Sequence, residues 1–161
     1  MKTDIGTAIR AGTIGGLVGG ACIWVYEAIV WAGVQHLLPL NSIPANASGL
    51  VFGKAIQLTF GPWASVMGTL IHFGFAVIWG TIFALLWPIF RARGWEASAL
   101  ALPFAIVLWV VMHVAIALVG HEHPNYFDPN VIIGGIMSHL FYAVPLALVV
   151  RSGMARAERA R

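Results

Sequence analysis

The sequence predicts an all-α integral membrane protein, a four-helix bundle whose termini both lie in the cytoplasm. Three observations predict it. The 161 residues are 60% hydrophobic and only 9% charged, where an ordinary soluble domain is about 25% charged. The apolar residues gather into four runs, each long enough for the roughly 20 helical residues that cross a hydrocarbon core. Lysine and arginine cluster beside these runs on one side of the expected membrane. Helices are the expected form, because an open strand in lipid leaves its backbone groups unpaired. The short alternating strands of a membrane barrel are missing from the pattern. The length suits a single domain, residues 1–161, with no separate soluble unit.

The first span is expected over residues 11–38, interrupted only by Glu27. Its apolar run exceeds the 7–15 residues of a secretory h-region. Gly19, Gly20 and Ala21 before Cys22 make a poor lipoprotein cleavage box, so the span is read as retained. With one cysteine, an internal disulfide framework is excluded. Gly12, Gly15, Gly16, Gly19 and Gly20 allow close backbone approach. That approach is either to this bundle or to a partner, a second copy or another subunit of a membrane complex. The glycine spacing does not match a dinucleotide loop, and no strand precedes it.

Residues 39–61 are rich in Pro, Asn, Ser and Gly and turn mildly amphipathic over 50–60, where a short interfacial helix is expected. The second span, 62–90, carries no formal charge and shows a small, polar stripe of Gly61, Ser65, Gly68, Thr69, His72, Ala76 and Gly80. A short turn at 91–96 leads to the third span, 97–119. A compact polar loop over 120–130, held by Pro124 and Pro129, leads to the fourth span, 131–150, which Pro145 should loosen. Lys2, Arg10, Arg91, Arg93, Arg151, Arg156, Arg159 and Arg161 all fall on the side of the termini, against Lys54 alone on the other. The positive-inside rule therefore places both ends in the cytoplasm. The lipid bilayer is the expected partner. Nucleic acid is not, because the basic residues flank the spans and form no exposed stripe.

Each span carries one ionisable side chain well inside it: Glu27, His72, His113 and His139. Counted from the expected outer ends at 1.5 Å per residue, they lie roughly 16, 15, 10 and 14 Å deep. That is a common slab, somewhat outside the midplane. Such groups are costly in lipid and point to function. Carboxylate and neutral imidazole suit zinc, iron, copper or manganese. Bundle cores commonly build such sites from facing helices. Two opposing histidines would equally suit a b-type haem. Without any cofactor, the same groups form a network whose charge changes between about pH 5 and 8. Taken singly, each histidine is explained by an interhelical hydrogen bond. His121 and His123, alternating in the polar loop, are weaker metal candidates, and His36 reads as interfacial. No catalytic motif is present. The segment around His121 is not HExxH, and an enzymatic role would require a redox metal or haem.

From Ile71 onward the chain resembles the YagU-like family of bacterial inner-membrane proteins. The match lies in Ile71-His72-Phe73 leading to Trp87-Pro88, in Met112-His113, and in Ser138-His139-Leu140-Phe141 ending in Arg151. Glu27, after Trp24-Val25-Tyr26, is similar to the glutamate of the family's first helix. The resemblance implies a location in the bacterial cytoplasmic membrane and, for some members, a link to acid tolerance. It implies no biochemical activity. The chain departs from the family in a shorter first outer connection. It also has Gly135 where a carboxylate is expected one turn before the fourth-helix histidine.

Overall fold

A computed structural model describes residues 4–37, 39–53, 55–119 and 127–160. The described residues are helical throughout, with no strand among them. Helix α1 covers Ile5–Tyr26 and continues as a π-helical segment over Glu27–Val34. Then come α2 (Ser42–Phe52), α3 (Ala55–Thr59), α4 (Pro62–Ala92), α5 (Ala97–Val119) and α6 (Pro129–Arg159). Four of these stretches are long and apolar enough to cross a membrane: Ile5–Val34, Pro62–Ala92, Ala97–Ala115 and Pro129–Arg159. The chain is thus an all-α bundle with the character of a multi-pass membrane protein.

Local chemistry sets the helix ends. The Asp4 carboxylate accepts from the backbone N–H groups of Gly6 and Thr7 at 3.3 and 3.1 Å, starting α1 well before the apolar run. Asp128 does the same for Asn130 at 2.9 Å, with Pro129 at the first helical position. Gly94, at φ 73°, turns the chain between α4 and α5. Pro88, Pro103 and Pro145 are all carried inside continuous helices.

Helix α1 lies between α4 and α6, running antiparallel to both. In lipid the apolar side chains gain nothing by leaving water, so close packing of small residues holds helices together. A Cβ at Gly12 or Gly16 would overlap the α4 backbone at Gly80 and Ala76. One at Gly15 or Gly19 would strike Leu146 and Tyr142 of α6. The glycines of the first span are therefore consumed within the chain, on two seams at once. The Tyr142 hydroxyl donates to the Ala76 carbonyl at 2.6 Å and ties α6 to α4.

Helix α5 packs along α6, and it reaches α4 mainly through large rings. The Phe83 and Phe104 centroids lie 4.9 Å apart and those of Trp79 and Phe104 6.5 Å. The core runs through Phe83, Leu108, Leu146, Ala147 and Val150. At the end of the bundle that holds the termini, Arg91 pairs with Glu158 and Arg151 approaches Glu96 at 3.8 Å. Phe90 and Trp95 stack there, 5.8 Å apart and 3° from parallel.

One expectation is corrected, and another is met beside a helix that was not foreseen. The first span does not stay helical to Leu38, which lies outside the described residues. It winds into a π-helix at Glu27, ends at Val34, and turns at His36, whose φ is 52°. In the following connection the short helix expected within 50–60 is α3, at 55–59, and a longer helix that was not expected, α2, precedes it over 42–52. Helix α2 packs inward: Ile43, Ala45 and Ser48 are buried and the Pro44 carbonyl sits against Gly68 of α4. Gly53, at φ 89°, ends it.

Candidate functional site

The four residues expected to share one site are divided between two seams and a separate position. His72, on α4, donates from Nε2 to the Gly20 carbonyl of α1 at 2.9 Å. Its ring stacks on Trp24 at 4.9 Å and meets the edge of Phe73 at 5.1 Å. This is a satisfied interhelical hydrogen bond, the structural role expected of a single membrane histidine.

His113 and His139 do come together. Their ring centroids are 6.4 Å apart, across the seam between α5 and α6. The His113 Nδ1 lies 2.7 Å from the Trp109 carbonyl, and the His139 Nδ1 lies 2.7 Å from the Gly135 carbonyl, each one turn back on its own helix. A carbonyl can only accept, so Nδ1 carries the proton in both rings. The lone pair of each neutral imidazole is then on Nε2. The α5 side chain points back toward the α5 N-terminus and the α6 side chain back toward the α6 N-terminus. In antiparallel helices those directions converge.

Trp109 completes this cluster. Its indole stacks on His113 at 4.6 Å, and a Cβ on Gly135 would overlap the indole nitrogen. Gly135, noted in the sequence as a missing carboxylate, is thus the space that Trp109 fills. The Gly135 carbonyl already accepts from Ser138 at 2.9 Å and from His139. Among the described residues the buried Trp109 Nε1–H has no acceptor. Trp109 is a residue of this cluster that the sequence analysis does not single out. Its one signal there is the four-residue spacing between the two rings, which places both on the same helical face.

Glu27 stands apart at the first residue of the π segment. Helix contacts give the relative heights. Gly19 packs beside Tyr142, Gly20 bonds His72, and Trp109 packs on Gly135. His113 is therefore displaced along the bundle from His72 by about ten residues, roughly 15 Å. Among the described residues, no three His, Cys, Asp or Glu side chains form a group able to hold a metal ion. His72 faces the seam with α1 while His113 and His139 meet across the seam between α5 and α6, so the four side chains do not form one group among the described residues. His121 and His123 lie outside the described residues.

A haem between His113 and His139 does not fit this seam: the Trp109 indole, seated on Gly135, fills the space a macrocycle would need. No known family, curated protein or solved structure matches the chain.

Proposed function

We propose that this chain is a multi-pass protein of the bacterial cytoplasmic membrane whose His113–His139 pair binds a proton, making it responsive to acid. The observation that carries this reading is the 6.4 Å pairing of two imidazoles on adjacent spanning helices, each ring held through Nδ1 by a carbonyl of its own helix. A protonated His113 keeps its bond to the Trp109 carbonyl and places its charge over the Trp109 indole. At 4.6 Å the ring lies within the roughly 6 Å range of a cation–π contact. Charge on one ring opposes charge on the other, so the two titrate as a coupled pair. The YagU-like resemblance, with its link to acid tolerance, agrees with this reading.

The titratable groups on packed elements are Cys22, Tyr26 and Glu27 of the first span, His72 of α4 and Tyr142 of α6. His72 and Tyr142 are bonded to backbone carbonyls of other helices. The test is histidine side-chain NMR of the protein in lipid nanodiscs between about pH 5 and 8. His139→Gln is expected to shift the His113 midpoint, and His72→Gln to leave it in place. Identical His113 curves with and without His139 would refute the pair.

A second reading places a divalent metal ion on the same two rings. It is favoured by the tautomers: with Nδ1 held by a carbonyl, each neutral ring carries its lone pair on Nε2, the arrangement common behind metal-bound histidine. Zinc or copper suits two imidazoles best, with the remaining positions filled from outside the protein. Metal retained by the purified protein and lost in His113→Ala would support this reading over the proton.

A further inference from the structure

Whereas Glu158 of α6 pairs with Arg91, Glu27 is a carboxyl inside the apolar length of a spanning helix that the histidine pair leaves unexplained. It is half-buried on the first span, and among the described residues no hydrogen bond or ion pair reaches it. The titratable groups on the elements around it are engaged elsewhere. His72 of α4 donates to Gly20, while His139 and Tyr142 of α6 donate to Gly135 and Ala76. On its own segment, Tyr26 packs its ring on Phe141 at 4.7 Å, Cys22 is half-buried, and His36 is exposed beyond the helix. The arginines of α1, α4 and α6 sit at the opposite end of the bundle.

Two further observations converge on this residue. The helix changes from α to π winding at Glu27 and keeps it through Val34. Such winding is rare and is frequent at functional sites. An open surface groove of about 430 Å³ runs beside the same segment, lined by Ala28, Ala32 and Gly33 and, beyond the helix, by His36, Leu37, Pro39 and Leu40, with Glu27 next in the chain to its first lining residue. An ionised carboxylate without a partner is the costly form in apolar surroundings, whereas the neutral acid is tolerated there.

We infer that Glu27 is a second proton-binding site, separate from the histidine pair, which exchanges its proton through the groove beside the π segment. The inference goes beyond the histidine reading and does not depend on it.

The experiment uses the whole protein in proteoliposomes and dicyclohexylcarbodiimide. This apolar reagent takes the proton of a neutral carboxylic acid and adds to its oxygen, then rearranges to an N-acylurea with nothing leaving. Peptide mass spectrometry locates the adduct. The expected result is labelling at Glu27 that falls at least fivefold as the pH rises from about 5 to 9, spanning the range in which buried carboxyls titrate. Equal labelling of His139→Gln is expected as well. No Glu27 adduct, or an adduct formed equally at every pH, overturns the site. Loss of labelling in His139→Gln overturns its independence. Persistent labelling alongside an uncoupled His113 titration removes the histidine reading alone. Glu27→Gln serves as the negative control, and if it fails to fold, the mapped wild-type adduct decides the matter by itself.

Discussion

At the scale of single residues, the pairing of His113 with His139 depends on a glycine. Gly135 admits the Trp109 indole, and the indole holds the His113 ring in place. Gly135→Leu is therefore expected to push α5 away from α6 and uncouple the two histidine titrations, as read by NMR. Trp109 itself gives a sharper prediction. Its buried N–H lacks an acceptor among the described residues, and an unsatisfied donor of this kind costs about 1–3 kcal/mol. Trp109→Phe keeps a ring over His113 and removes the donor. It is expected to unfold at the wild-type temperature or slightly above, whereas a clear fall in Tm would reveal a partner for the indole. His113, His139 and Glu27 were visible in the sequence as ionisable groups inside apolar runs. Which of them would meet was not, because that depends on helix rotation and on the length of each helix beyond its apolar run.

At the scale of elements, α1 works as a two-sided spacer. Its glycines at 12 and 16 face α4 and those at 15 and 19 face α6. Gly16→Ile inserts a branched side chain against the Ala76 backbone, and overpacking of this kind costs about 1–3 kcal/mol. Ile14→Val, at a position 46% exposed toward the surroundings, is the control expected to change little. Both are measured by unfolding in mixed detergent. Helix α2 depends in the same way on Gly68, where a Cβ would run into the Pro44 carbonyl. Gly68→Val is expected to displace α2. Amide exchange should then rise at least tenfold over residues 42–52 and stay unchanged along the seam between α1 and α4. The sequence marked the α1 glycines as a packing face but left open whether the face met this bundle or a partner. It placed a short helix within 50–60, where α3 lies, and missed α2 before it, whose buried Ile43, Ala45 and Ser48 stand in a stretch rich in Pro, Asn, Ser and Gly.

At the scale of the whole molecule, the four spanning helices leave α2 packed on α4 at one end and the arginine-rich helix termini at the other. Surface charge should orient this arrangement in the membrane. In a Cys22→Ser background, an impermeant maleimide added to intact cells is expected to label Asn46→Cys on α2. It should label Ser152→Cys on α6 only after the cells are opened. Both positions are exposed, and the reverse pattern would invert the orientation.

The sequence by itself determined the fold class and the approximate spans, because both follow from how much apolar side chain each stretch carries. It also determined which ionisable groups lie inside the apolar runs. Tertiary structure alone decided the partners. His72 found a backbone carbonyl on α1, His113 found His139, and Glu27 found neither. Helix rotation, the antiparallel register set by glycine contacts, and the π winding of the first span fix these outcomes. Each is a property of packed neighbours, and no single helix encodes it.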